Sequence, residues 1–206
     1  MIARSLDHPS RVMPELGPAD RRILDLGCGA GQTLIALELH RSVLAVGVDT
    51  DEASLGLGRE WAPDVGFVGA SGEALPFTSQ SFDLVISRVA LPYMDIPVVL
   101  AEIFRVLTPG GRVWFTLHPA RLILAKLGRS LTSINYRASI FFTYVLLNGL
   151  LFHATGRLAR WPFGRRRYES VQTRRSIVRA LRNAGFHAVS VDITRHFVAT
   201  AQRPER

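Results

Sequence analysis

The sequence is short of several things that folded chains commonly use, and each shortage excludes a class of explanation. Cys28 is its only cysteine, which rules out an internal disulfide, a cysteine-built zinc site and an iron–sulfur cluster. Stability has to come from packing. The first twenty residues carry Arg4, Asp7, His8, Pro9 and Pro14 and no apolar run. Neither a signal peptide nor an anchor helix is expected there, and the expected location is cytoplasmic. Lysine is nearly missing, since among 25 basic residues only Lys126 is not arginine. Acids are missing too, but only locally: residues 121–182 hold twelve arginines and Lys126 against Glu169 alone. That stretch carries about +12 of a total of +8, leaving the remainder near −4. Codon bias accounts for arginine over lysine; it does not account for the absent acids, which fit a surface or site that meets negative charge.

What is present points to one domain. A chain of 206 residues with 48% hydrophobic composition can bury one full core and little more. Apolar runs at Ile23–Leu26, Val43–Val48, Val65–Val68, Phe82–Ile86 and Val113–Leu117 read as strands, with helical stretches between most of them, among them Gln32–His40 and Ile96–Leu107. Alternation of this kind predicts a parallel sheet covered on both faces. Pro109-Gly110-Gly111 reads as the end of a helix followed by a turn. Further on, Thr173 can cap a helix whose Ile177, Val178, Leu181 and Ala184 share a face and which Gly185 closes. Strands near Ala188–Ile193 and Phe197–Ala201 follow, and no internal repeat is visible.

Residues 120–169 interrupt this order as an insertion within a single 1–206 domain, too long for an ordinary connection. The centre, Ala138 to Ala154, is apolar nearly all the way round. Such a segment is buried or faces lipid, and being about 17 residues long and broken by Asn148-Gly149 it is marginal as a membrane span. The expectation is a lid packed on the edge of the sheet. His153, on the same segment, is expected to be a satisfied interior histidine, and Arg165-Arg166-Arg167 a solvated turn.

The run Ile23-Leu24-Asp25-Leu26-Gly27-Cys28-Gly29-Ala30-Gly31 takes a strand into a glycine turn just before a helix. Glycines let the backbone bend sharply and approach a ligand, whose polar end can then meet unpaired N–H groups. The spacing is Gly-x-Gly-x-Gly, and the sixth position counted from Gly27 is Gln32, which speaks against NAD or FAD. About 20 residues on, Asp49 ends the second strand, where a carboxylate can accept hydrogen bonds from both hydroxyls of a ribose. Thr50, Asp51 and Glu52 are alternative caps for the next helix.

Taken in order, Leu24 to Gly31, Gly47-Val48-Asp49, Glu73-Ala74-Leu75-Pro76-Phe77, Ser81-Phe82-Asp83-Leu84-Val85 and Arg105-Val106-Leu107-Thr108-Pro109-Gly110-Gly111 resemble the successive motifs of class I S-adenosylmethionine-dependent methyltransferases, specifically the type 11 group. The resemblance implies an α/β fold with a Rossmann-like seven-stranded sheet of order 3-2-1-4-5-7-6. It places S-adenosylmethionine across the carboxyl ends of strands 1, 2 and 4. By position, Asp25, Gly27, Cys28 and Gly29 line the methionine end of the cofactor, and Gly31 is a further cofactor-binding residue. Asp49 and Thr50 hold the ribose and neighbour the adenine, and the backbone of Ser87 and Arg88 lies beside the cofactor's amino group. One departure stands out. Where relatives place an acid or asparagine for the adenine amino group, this chain has Ser71 followed by Gly72, and a neutral hydroxyl bonds more weakly than a charged acceptor. Cys28 is expected to pack as a small apolar residue.

Methyl transfer from a sulfonium is an in-line displacement, so holding donor and acceptor about 3 Å apart accounts for much of the rate. A general base matters when the acceptor is a hydroxyl or a carbon acid, and His118 at the end of the fifth strand is the candidate. Tyr93 is the candidate for orienting the acceptor or facing the sulfonium. An insertion apolar at its centre and cationic at its flanks points to a small lipophilic or amphiphilic acceptor, with possible peripheral membrane contact or a homodimer. Two other functions compete. One is a nucleic-acid methyltransferase that stacks bases on Tyr136, Phe141, Tyr144, Trp161, Phe163 and Tyr168. Against it, Ser87-Arg88-Val89-Ala90 lacks the Asn/Asp-Pro-Pro-aromatic run of base-amine enzymes. The other is a non-catalytic cofactor-binding protein on the same fold.

Overall fold

The computed structural model describes residues 12–118, 120–163 and 168–205. Seven strands form one sheet: β1 (Arg22–Leu26), β2 (Leu44–Asp49), β3 (Gly66–Gly69), β4 (Phe82–Arg88), β5 (Leu107–Leu117), β6 (His187–Asp192) and β7 (Phe197–Gln202). Their order is β3-β2-β1-β4-β5-β7-β6, as the resemblance implied. Strands β1 to β5 pair in parallel, while β7 runs antiparallel to both its neighbours. Six helices accompany them among the described residues: α1 (Gln32–Ala36), α2 (Glu52–Trp61), α3 (Ile96–Val106), α4 (Ala120–Thr132), α5 (Tyr136–Thr155) and α6 (Arg174–Asn183).

The two-residue alternation of a strand sorts the core into two layers. Leu24, Leu26, Val46, Val48, Val85, Val113 and Phe115 face α3 and α6, meeting Ile96, Val99, Leu100, Ile103, Ile177 and Leu181. Ile23, Ala45, Leu84, Ile86 and Trp114 face the other way, toward Leu34 of α1. Each fully buried side chain of that size contributes about 1.5–3 kcal/mol by leaving water, so the sheet centre holds the domain together. Thr173 caps α6 as expected, accepting from the Ser176 amide at 3.1 Å, and the Ser176 hydroxyl completes a capping box by accepting from the Thr173 amide at 2.9 Å.

Three details differ from the sequence reading. Helix α1 stops at Ala36, four residues short of His40. Leu107 leaves α3 directly into β5, so Pro109-Gly110-Gly111 lies inside an irregular strand, with a register shift opposite Phe82 and Leu84. Helix α5 does not lie on the sheet edge. It packs against α4 and α6 because Phe152 enters the main core and Val145 joins a small cluster with Ile123 and Val171. Asn148 ties it down: its amide nitrogen donates to the Glu169 carbonyl (2.9 Å) and the Tyr144 hydroxyl (3.2 Å), and its oxygen accepts from the Ala159 amide (2.8 Å). Gly149 then lets the helix approach the chain closely, since a Cβ there would lie 2.3 Å from Val171 Cγ2. His153 is half-buried and bonds Thr173 Oγ1 through Nδ1 at 2.7 Å. Arg165-Arg166-Arg167 lies outside the described residues.

Candidate cofactor and acceptor site

The carboxyl ends of β1 and β2 and the loop after β4 enclose a cavity of about 300 Å³, lined by Leu26, Gly27, Val48, Asp49, Thr50, Ala70, Ser71, Gly72, Glu73, Ala90, Tyr93 and Met94. A larger hollow of about 680 Å³ lies at the opposite rim, around Pro18, Asp83 and Pro109. Ligands of open parallel sheets bind at the carboxyl ends of strands, so the smaller cavity is the candidate site.

Its floor is the glycine turn. Gly27 has φ +71°, and a Cβ added there would sit 2.2 Å from the Ala90 Cβ. Only glycine fits, and Ala90 has to be small in return. The backbone on the other side is strained as well: Val89 has φ +62°, a left-handed conformation that β-branched residues rarely adopt and that clusters at functional sites.

The turn does not, however, offer a row of free amides. The N–H groups of Gly27 and Cys28 donate to the Val48 carbonyl (2.8 and 3.0 Å), and that of Gly29 to Asp49 Oδ2 (2.8 Å). The end of β2 thus occupies all three, two through the Val48 carbonyl and one through the Asp49 side chain. The bend therefore gives a ligand close approach, and Asp49 supplies the acceptors. Its carboxylate receives Gly29 on one oxygen and the Asp51 amide on the other (3.0 Å). A carboxylate accepts about four hydrogen bonds, so capacity remains toward the cavity. Asp51, not Asp49, caps α2 through the Ala53 amide.

The remaining predicted residues divide into two groups. Thr50, Ser71 and Gly72 line the cavity with Asp49 and Gly27. Asp25, Cys28, Gly29, Gly31, Ser87 and Arg88 do not. The Ser71 hydroxyl donates to Glu73, and the other Glu73 oxygen accepts from the Asp95 amide at 3.0 Å. Asp95 in turn receives the Tyr168 hydroxyl at 2.7 Å, and that hydroxyl accepts from Arg160 Nε at 2.9 Å. A hydrogen-bonded chain thus joins the cavity wall to the segment after α5.

Arg88 extends away from the cavity, toward Thr33 Oγ1 at 3.5 Å. Beneath it lies Asp25, 1% exposed, with neither carboxylate oxygen in a well-formed hydrogen bond. Burial pushes its pKa up to about 7, although Arg88 and the Thr33 hydroxyl pull the other way. The Ser87 hydroxyl at the end of β4 is likewise fully buried and unpartnered. Cys28 packs with Leu55 and Phe67, and burial, with Asp25 and Asp49 nearby, pushes its thiol far up. It stays neutral and apolar in behaviour.

Tyr93 and His118 come together at the mouth: the hydroxyl lies 3.4 Å from His118 Nε2 and the rings meet edge to face. Burial first, and Lys126 second, lower the pKa of His118 below its usual value, leaving a neutral imidazole at neutral pH. Sequence reasoning missed Ala90, Met94 and Glu73 as lining residues. Ala90 follows from Gly27 only once the fold brings them together; Met94 carries no signal.

A family model described as a methyltransferase domain matches residues 24–115. The demethylmenaquinone methyltransferase of Lactococcus lactis is 30% identical over 200 residues, covering 89% of this chain and 75% of the relative. The phthiotriol/phenolphthiotriol dimycocerosates methyltransferase of Mycobacterium leprae is 34% identical over 119 residues, 55% of this chain and 44% of that one. This chain spans less than half the length of several such curated relatives, 42–46% of each. Among solved structures, an S-adenosylmethionine-dependent methyltransferase from Methanosarcina mazei superposes with a TM-score of 0.60 at 20% identity, over 94% of this chain and 100% of that one.

Proposed function

Because the chain belongs to the class I S-adenosylmethionine-dependent methyltransferases, we propose that it transfers a methyl group to a small lipophilic or amphiphilic acceptor held beside Tyr93 and His118. The observation that carries the reading is the meeting of these two side chains at the mouth of the cavity that Asp49 and the glycine turn build. When bound, the cofactor supplies an activated methyl group on a sulfonium.

The residues present suit that cofactor. Asp49 keeps lone pairs for ribose hydroxyls, and Gly27 removes the side chain that would fill the floor. Ser71 has already donated its proton to Glu73, which leaves its oxygen as an acceptor for an amino group. Tyr93 orients the acceptor, and neutral His118 takes its proton where the nucleophile is a hydroxyl or a carbon acid.

The acceptor class rests on the two helices that follow His118 and on the relatives. Helices α4 and α5 present apolar side chains and no acid, and relatives named for demethylmenaquinone and dimycocerosate methylation act on lipophilic molecules. Of the rings the nucleic-acid alternative needs, Tyr136 and Phe163 are exposed, at 73% and 66%, and most of the others are engaged within the protein. Phe141, Tyr144, Trp161 and Phe163 pack on one another with ring centroids 4.9–6.0 Å apart, and Tyr168 is held by Asp95 and Arg160.

The test follows labelled methyl groups from the cofactor in the presence of a lipid extract, a panel of quinols and phenols, and nucleic acid. Label in the organic phase supports the proposal; label only in nucleic acid, or tight binding of S-adenosylhomocysteine without turnover of any acceptor, overturns it. In the first case kcat/KM should rise with pH through an apparent pKa below 6.5. His118→Gln should flatten that limb and lower the rate by roughly a hundredfold.

A further inference from the structure

We propose that the α4–α5 hairpin docks this protein on an anionic lipid bilayer, with its tip and the outer stripe of α5 entering the interface while neighbouring arginines meet the headgroups. This goes beyond methyl transfer, because docking can be present or absent whatever the acceptor is.

The outer stripe of α5 comprises Tyr136, Ile140, Thr143, Leu147, Leu150 and Ala154, spaced three or four residues apart, with Leu151 beside them, and all are exposed. No charge interrupts it. A helix of 20 residues is about 30 Å long, so the stripe is a continuous apolar ridge of a size that soluble monomers rarely leave open. Leu124 and Leu131 of α4 extend it. At the tip, Leu131, Ile134, Tyr136 and Ile140 are between 57% and 73% exposed.

Ile134 is the least expected of these. It lies in the turn two residues beyond α4 at φ +53°, a position that glycine fills most easily and that β-branched residues rarely take. The strained backbone holds an apolar side chain in water, and no packing within the described residues accounts for it.

Charge complementarity identifies the occupant. Arg121, Lys126, Arg129 and Arg137 are exposed on the same two helices, and none forms an ion pair among the described residues. No acid occurs from Ile103 to Tyr168. An apolar face on helices that carry cations and no acid matches an anionic interface. A second copy of the chain fits poorly, because a two-fold contact would bring these cations together with no acid to pair them.

The helix lies on the surface and does not cross it. By length and composition α5 could span a bilayer, with a mean hydropathy of 1.4. Crossing would tear Asn148 from three partners and Phe152 from the core.

The test uses the full chain without cofactor or acceptor, so its result does not depend on the methyltransferase reading. Co-sedimentation is compared on phosphatidylcholine vesicles and on vesicles that also contain phosphatidylglycerol. Binding should favour the anionic vesicles and fall with salt. Ile134→Gly, which relaxes the turn, should weaken it roughly tenfold, and Arg129→Gln with Arg137→Gln by more than about tenfold. Equal binding to both vesicles, no binding, or binding unchanged in these variants overturns the proposal. So does a dimer in sedimentation equilibrium that Leu147→Ser with Leu150→Ser converts to monomer, which would make the face a subunit interface.

Discussion

The stretch from Arg22 to Leu117 and the stretch from Ala120 to Gln172 follow different rules. In the first, the strands of the sheet centre are buried on both faces, and the ends of β1 and β2 lead to residues held by a specific neighbour: Gly27 by Ala90, Asp49 by Gly29. In the second, the longest helix is packed along one side and bare along the other, though its composition is apolar throughout. The difference teaches where a sequence constrains itself. A residue packed on all sides has one acceptable type, whereas an exposed apolar residue is explained only by something outside the chain.

The largest effect expected in the first stretch is electrostatic. Asp25 has a folded-state pKa of about 7, against about 4 unfolded. Below pH 4 both states are protonated and burial of the carboxyl costs little. Between about 4 and 7 the unfolded chain loses its proton while the folded chain keeps it, so stability falls as pH rises. Above 7 the full penalty applies, roughly 4 kcal/mol for three pH units. The stability difference between wild type and Asp25→Asn, taken from urea midpoints at pH 5 and pH 8, should shift in favour of Asn at the higher pH. A difference independent of pH would mean that Asp25 is solvated or paired.

Gly27→Ala comes next. Its Cβ would meet Ala90 at 2.2 Å from a left-handed backbone, and overpacking with backbone strain should cost roughly 3 kcal/mol. Gly128 on α4 supplies the contrast: nothing lies within 4 Å of a Cβ there, so Gly128→Ala should stabilise by about 1 kcal/mol. Similar losses at the two glycines would erase the distinction between the stretches.

Asp49→Ala should weaken binding of S-adenosylhomocysteine by roughly a hundredfold, the loss of one or two charge-assisted hydrogen bonds, measured by calorimetry. Asp49→Asn, which keeps an acceptor for Gly29, should lose less. This residue also shows what was legible in the sequence. The strand-turn-helix pattern and the carboxylate about 20 residues on could be read from apolar runs and motif spacing, because parallel strands buried on both faces are written as uninterrupted apolar segments; the strand order was implied only by the family resemblance. The occupied amides of Gly27, Cys28 and Gly29 could not be read, since they depend on how the end of β2 meets the turn. The meeting of Tyr93 with His118, 25 positions apart, and the link from Asp95 to Tyr168, 73 positions apart, likewise have no local pattern to announce them. Helix α5 was legible as apolar but not as one-sided, because its hydrophobic residues surround the axis and only Asn148 and Gly149 mark the packed face.

The smallest effect tests the second stretch most directly. If Ile134 is kept for a contact outside the chain, then in the absence of lipid its side chain contributes little to the fold while its backbone is strained. A left-handed non-glycine residue costs about 1–2 kcal/mol, and glycine there gives back about half of that through the freer unfolded chain. Ile134→Gly should therefore stabilise the protein by roughly 1 kcal/mol and raise the melting temperature by about 3 °C for a domain of this size. A lowered melting temperature would show that Ile134 packs within the protein and that the tip of the hairpin belongs to the core after all.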